Sequence, residues 1–121
     1  MDKQTCGILG EAVVERYLLE RDYRILNARF RCRMGEIDLI ARSPQGILCF
    51  VEVKTRESRQ FAAAREYVTP AKQRRIRAAA ALYLSKGNLD CPCRFDVAEV
   101  YPDPEAGWKK PEIIYLPQAF E

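Results

Sequence analysis

The chain has 121 residues, with 20 Lys or Arg against 17 Asp or Glu and no histidine. At 48% apolar and 31% charged it has the composition of an ordinary soluble globular protein, large enough to bury a core without disulfides or metal staples. The lack of histidine excludes a Ser-His-Asp triad, a Cys-His nucleophile pair and any His-based zinc or haem site, so acid, base or metal chemistry must come from carboxylates, lysines and water.

Charge is unevenly spread. Residues 1–95 carry 18 basic and 11 acidic groups, a net +7, and residues 96–121 carry 2 and 6, a net −4. A basic body suits a polyanion such as nucleic acid, and it equally suits a mixed, solvated surface. No segment approaches the roughly 20 apolar residues of a membrane helix, and the opening MDKQTCG lacks a signal-peptide apolar run. Cys6, Cys32, Cys49, Cys91 and Cys93 are an odd number at irregular spacing, with no second pair to complete a zinc site. Cys49 sits in an apolar run and reads as a small buried thiol. A single domain over 1–121, reduced and cytoplasmic, is the expectation.

In chain order, Gln4 to Arg21 reads as a helix, with Ile8, Leu9, Ala12, Val13 and Leu19 gathered on one side. Tyr23 to Phe30 is a candidate first strand, and Met34-Gly35 a turn. Glu36 to Ala41 and Ile47 to Lys54 read as strands joined by a strong turn signal, Ser43-Pro44-Gln45-Gly46, which makes an antiparallel hairpin. Residues 57–68 are expected as loop with some helix. Thr69-Pro70 opens a second helix, a capping hydroxyl followed by Pro at the first position, which runs to Lys86 and stops at Gly87-Asn88. Phe95 to Tyr101 is a strand, Pro102-Asp103-Pro104 a turn, and Ile113 to Leu116 a short final strand. The order α-β-β-β-α-β-β predicts an α/β fold, a mixed sheet flanked by helices.

The informative region is the hairpin. Alternation predicts Glu36, Asp38 and Ile40 on one face of the first strand, with Ile37 and Leu39 on the other. Leu48, Phe50, Glu52 and Lys54 share one face of the second, which sets Glu52 and Lys54 roughly 7 Å apart and parallel. Asp38 and Glu52 then come from neighbouring strands and can point into one cavity. Burying such ions costs several kcal/mol each unless they are paired or bind metal. The plain alternative is a wet edge hairpin in which Glu52 and Lys54 form a surface pair worth under about 1 kcal/mol. The functional reading is an all-oxygen site for Mg²⁺ or Mn²⁺, held by Asp38, Glu52 and a main-chain carbonyl near Val53. Lys54 then orients or deprotonates the attacking water, which equips the site for phosphodiester hydrolysis.

Gly35-Glu36-Ile37-Asp38-Leu39-Ile40-Ala41 followed by Phe50-Val51-Glu52-Val53-Lys54-Thr55-Arg56 resembles the YraN-like family of small bacterial proteins. Gly7, Gly10-Glu11-Ala12, Lys72-Gln73 with Arg75-Ile76, and Arg94-Phe95-Asp96-Val97 extend the resemblance over nearly the whole chain. The resemblance implies the restriction-endonuclease-like superfamily with its PD-(D/E)xK motif and a fold similar to archaeal Holliday junction resolvases. On that resemblance Asp38, Glu52 and Lys54 correspond to metal-binding and catalytic positions, and Glu11 to an assisting first-helix acid. Gln73 corresponds to a polar helix position that lines related sites. Ala28-Arg29 replaces an Arg-Asn pair common in relatives, and 57–66 lacks a frequent glycine.

Lys72, Arg74, Arg75 and Arg77 cluster in the first turns of the second helix, while Ile76, Ala79, Ala80 and Tyr83 can face the core. Arg29, Arg31 and Arg33 alternate ahead of the motif strand on one expected face. Both sets offer phosphate contacts, which give affinity with little sequence reading. Phe30 and Tyr67 are candidates for base stacking, with core packing as the alternative. The expectation is a Mg²⁺- or Mn²⁺-dependent endonuclease acting on DNA, with branched DNA implied by the resolvase resemblance; a homodimer would suit a two-fold junction, though the sequence does not show one. Its rivals are a non-catalytic nucleic-acid-binding module on the same fold and a protein-interaction subunit using the acidic tail around Trp108.

Overall fold

The turn at Ser43–Gly46 forms as its residues dictate. Ser43 N–H donates to Ile47 O at 2.8 Å, Gly46 N–H to Ser43 O at 2.9 Å, and Gly46 takes φ +87°. The computed structural model describes residues 2–56 and 68–121. Its elements are α1 (Lys3–Leu19), β1 (Arg24–Cys32), β2 (Gly35–Arg42), β3 (Leu48–Thr55), α2 (Pro70–Gly87), β4 (Cys93–Asp103) and β5 (Gly107–Phe120). This is the expected α-β-β-β-α-β-β order. Residues 57–67, Tyr67 among them, lie outside the described residues.

The five strands form one mixed sheet in the order β1-β2-β3-β4-β5. β1-β2, β2-β3 and β4-β5 are antiparallel, and β3-β4 is the parallel pair, with α2 between its strands in sequence. One face packs Leu39, Ala41, Cys49, Val51, Ala98 and Val100 against Val14 and Leu18 of α1. The other packs Ile37, Ile40, Leu48, Phe50 and Val97 against Ile76, Ala79 and Ala80 of α2. Each large apolar side chain so buried stabilises by about 1.5–3 kcal/mol, which sets both helices firmly on the sheet. Tyr83 and Phe30 meet edge to face at 5.2 Å beside this second cluster, so Phe30 is a packing residue. Cys49 is fully buried as expected, and burial pushes its thiol up to about 12.

Three features depart from the sequence reading. The buried stripe of α1 is Gly10, Val14 and Leu18, whereas Ile8 and Leu19 are exposed. The i, i+4, i+8 stripe wins because Gly10 lets the helix press on β3; a Cβ there would clash with Thr55 Oγ1. The last strand is 14 residues long, not four, and β4 runs on to Asp103. Pro111 and Pro117 read as breakers, but β5 is an edge strand, where a missing N–H is tolerated on the open side. The alternation along β2 also slips: Ile37 joins Ile40 in the α2 cluster while Leu39 and Ala41 join the α1 cluster. Opposite the slip, Arg29 has φ +57°, a left-handed conformation that breaks the pleat of β1.

Buried charge in the sheet is paired. Asp96 of β4 is 0% exposed and accepts from Arg94 Nε at 2.8 Å, Arg94 Nη2 at 3.0 Å, Gln118 N–H at 2.9 Å and the Tyr115 hydroxyl. Those donors offset its desolvation and tie β5 to β4 where the ladder bulges between Phe95 and Val97. Among the described residues, no helix is long and apolar enough to cross a membrane.

The contact at Gly10 generates a test. Gly10→Ala is expected to lower stability in urea unfolding, because overpacking of about 1–3 kcal/mol outweighs the helix-propensity gain of about 1 kcal/mol. In a Thr55→Ala background the same change should instead raise stability.

Candidate active site

The β2-β3 ladder ends at Leu39↔Val51, one step short of the position where Asp38 would face Glu52. Beyond that point the side chain of Asp38 replaces the ladder, and Val53 N–H donates to Asp38 Oδ2 at 2.8 Å. Glu52 and Lys54 follow on β3, on the face shared with Leu48 and Phe50. The result is an open cavity of about 640 Å³ at the end of the sheet, lined by Glu11, Asp38, Glu52, Val53, Lys54 and Lys72. The hairpin arithmetic thus brings the expected acids and lysine together, although the simple face assignment for Asp38 is replaced by the slip in β2.

Lys72 is the residue whose place only the structure supplies. Expected on a phosphate-binding helix face, it instead reaches back and sets Nζ 2.8 Å from Glu52 Oε1. Thr69 caps α2 by accepting from Lys72 N–H at 3.2 Å, so the first turn that carries Lys72 is well fixed. At Gly35 a Cβ would stand 3.1 Å from Arg75 Cβ and 3.3 Å from Arg75 O, so a glycine is what lets α2 lie this close to β2. The signal available in the sequence was position alone: Lys72 is in the first turn of a Pro-started helix, and such a turn can face back over a sheet end.

The electrostatics follow from two acids in one half-buried place. Burial, then the neighbouring Glu52 carboxylate, push Asp38 up to about 7 against the opposing pull of the Val53 N–H. Burial lowers Lys54 below the usual lysine value, and the Lys72 charge adds to the shift. Burial works against Lys72 as well, but its hydrogen bond to Glu52 and the charges of Glu52 and Asp38 prevail and raise it.

The other expected residues divide. Glu11 lines the cavity from α1, yet its carboxylate is paired with Arg29, Nε to Oε1 at 2.8 Å, and is only 16% exposed. Among the described residues, no three His, Cys, Asp or Glu side chains gather closely enough to hold an ion together. Arg29, Arg31 and Arg33 do not form one row, because the left-handed turn of Arg29 sends it to Glu11 while Arg31 pairs with Glu36 at 3.3 Å and Arg33 lies past the strand. Gln73 donates Nε2 to Val68 O at 2.8 Å and lines a separate cavity rather than the acid cavity. Arg74, Arg75 and Arg77 are exposed, with Arg77 donating to Glu121 O at 2.7 Å. Arg31, Lys72 and Arg75 line a groove of about 420 Å³ beside the acid cavity. Arg56 and Trp108, neither of them expected at the acid site, also line its cavity; Arg56 directly continues the β3 motif, whereas Trp108 carries no local signal for that place.

The donor set fits a hard divalent cation. Two carboxylates share one cavity, one of them is pushed toward its neutral form by burial and then by the other, and a lysine ammonium sits where positive charge is wanted. Asp38 and Glu52 would hold the ion.

The model of the uncharacterised protein family UPF0102 matches residues 10–100. Among curated relatives, a UPF0102 protein of Symbiobacterium thermophilum is 49% identical over 100 residues, 82% of this chain and 84% of its own length. Those of Geotalea uraniireducens and Trichlorobacter lovleyi are 43% and 40% identical, covering 99% and 98% of this chain and 92% and 91% of their own. The YraN-like resemblance is borne out at the level of the family.

A folded pKa of about 7 for Asp38, against an ordinary 3.8, means the unfolded chain gives up this proton first as pH rises. The contribution of this group to stability is full below about pH 4, falls between about pH 4 and 7 and is lost above. Thermal melts in EDTA should show that decline, Asp38→Asn should remove it, and Mn²⁺ should raise Tm more at pH 8 than at pH 5. Lys72→Met should cost about 1–3 kcal/mol in EDTA, less than a fully buried pair because the Lys72 side chain is 37% exposed, and Mn²⁺ should recover most of the loss.

Proposed function

The chain belongs to the uncharacterised protein family UPF0102, and on the geometry of its acid cavity we propose that it is a divalent-metal-dependent nuclease of the PD-(D/E)xK, restriction-endonuclease-like kind. The observation that carries this reading is the convergence of Asp38, Glu52, Lys54 and Lys72 in one solvent-open cavity. A bound Mg²⁺ or Mn²⁺ would supply Lewis-acid polarisation of a phosphodiester and a lowered water pKa. Asp38 and Glu52 hold the charge that retains such an ion, and the Val53 N–H fixes the Asp38 rotamer. Lys54, with its proton loosened by burial, is placed to orient the attacking water and take its proton. Lys72, once relieved of Glu52, opposes the charge that grows on the phosphate.

DNA is the proposed substrate, in the cytoplasm, where the five free cysteines stay reduced. The groove of Arg31, Lys72 and Arg75 runs beside the acid cavity and supplies phosphate contacts along one strand, with Arg74 and Arg77 exposed on the same helix. Branched DNA is the proposed preference, by similarity to the resolvases.

One observation favours a second reading, a binding module without turnover: Glu11 is committed to Arg29, which leaves two acids at the site rather than three. A labelled panel of duplex, single-strand, flap and four-way-junction DNA separates the two. Cutting in Mg²⁺ or Mn²⁺ that stops in EDTA, and falls to that background in Glu52→Ala, is the expected result. Folded protein that retains DNA in EDTA and cuts none of the panel supports the module and refutes the nuclease.

A further inference from the structure

A second cavity, of about 480 Å³, lies on the α2 face of the sheet. Val97 of β4 with Leu116 and Phe120 of β5 make it apolar. An aromatic column backs it, Phe120 stacked on Phe95 at 5.1 Å and Phe95 on Phe50 at 5.5 Å between centroids. Two polar side chains reach its wall: Gln73, anchored on Val68 O, and Glu99, which accepts from the Tyr101 hydroxyl at 3.1 Å and pairs with Arg56 Nε at 3.7 Å. Lys54 and Arg56 line this cavity and the acid cavity alike, so the two chambers meet at a cationic lip.

An apolar chamber with a few convergent polar groups takes a small, largely apolar and flat ligand. Its lip identifies the ligand further. A phosphate held at Lys54 and Arg56 would lie beside the acids, and the base attached to the same nucleotide could turn into the chamber, its edge toward Gln73 and Glu99. A stacked duplex yields such a base only at the cost of unstacking and unpairing, a few kcal/mol, whereas a single strand, flap or branch point offers one with little penalty. We infer that this cavity receives one unpaired nucleobase, so that the protein selects DNA with a single-stranded nucleotide next to the phosphate at its acid site. This inference rests on the nuclease reading and narrows its substrate class.

The test compares three DNAs in Ca²⁺ at fixed salt: a duplex with a one-nucleotide 2-aminopurine overhang, the same duplex with an abasic overhang, and the blunt duplex. The 2-aminopurine overhang should bind about 5- to 150-fold tighter than the abasic one, the range expected of one base held against apolar and aromatic groups. The fluorescence of the base should change on binding. Ala119 is exposed on the cavity rim, and Ala119→Trp should erase the base-dependent ratio while blunt-duplex affinity stays as it was. Equal affinity of the wild type for base and abasic overhangs, with both still bound, would overturn the base chamber and leave the nuclease reading standing. Failure of all three DNAs to bind would overturn both.

Discussion

Two carboxylates held close at the open end of a sheet organise much of this molecule. Asp38 and Glu52 are brought together because the β2-β3 ladder stops at Leu39↔Val51, and a side chain then does what the main chain no longer does. Burial and like-charge repulsion act together there, and the response is visible on every side: Asp38 pushed toward its neutral form, Lys72 of α2 reaching back to Glu52, Lys54 held nearby on β3. The close packing around them serves that end. Gly10 lets α1 approach Thr55, and Gly35 lets α2 approach β2, so helices from both faces reach one cavity mouth.

Asp96 shows the opposite solution to the same problem. It is more deeply buried than Asp38, yet it has a guanidinium, a hydroxyl and a main-chain N–H around its two oxygens. Such a satisfied acid has no use for a ligand, and it serves to join β4 to β5. Among the described residues the acid pair has fewer donors, one N–H and one ammonium. That contrast within one sheet separates a structural carboxylate from a site carboxylate better than burial does. Glu11 lies between the two cases, inside the cavity but already paired with Arg29.

The hairpin was legible because its signals are local. Ser43-Pro44-Gln45-Gly46 demands a turn, the runs on each side are β-formers, and counting back from the turn sets Asp38 opposite Glu52. The second helix was legible for the same reason, with Thr69-Pro70 at one end and Gly87-Asn88 at the other; Asn88 indeed takes the left-handed φ of +51° that ends it. The long β5 was not, since its prolines weaken a strand in isolation and only the partner β4 shows that their missing N–H groups fall on an edge. The face of α1 was misread because five apolar residues outweigh a glycine in any count of hydrophobicity, whereas packing rewards the close approach that glycine permits.

Element order, hairpin register and the chemistry open to the chain were already written in the order of residues: oxygen ligands and lysines, with imidazole excluded. These follow from residue identity and from contacts across a few residues. Which cations meet which acids was decided only in three dimensions. Arg29 turns to Glu11 because of a left-handed residue in β1, and Lys72 reaches Glu52 because α2 crosses the end of the sheet. Charges act through space over a few ångströms, and the distances that decide the pairing, 18 residues in one case and 20 in the other, close up only when the helices pack.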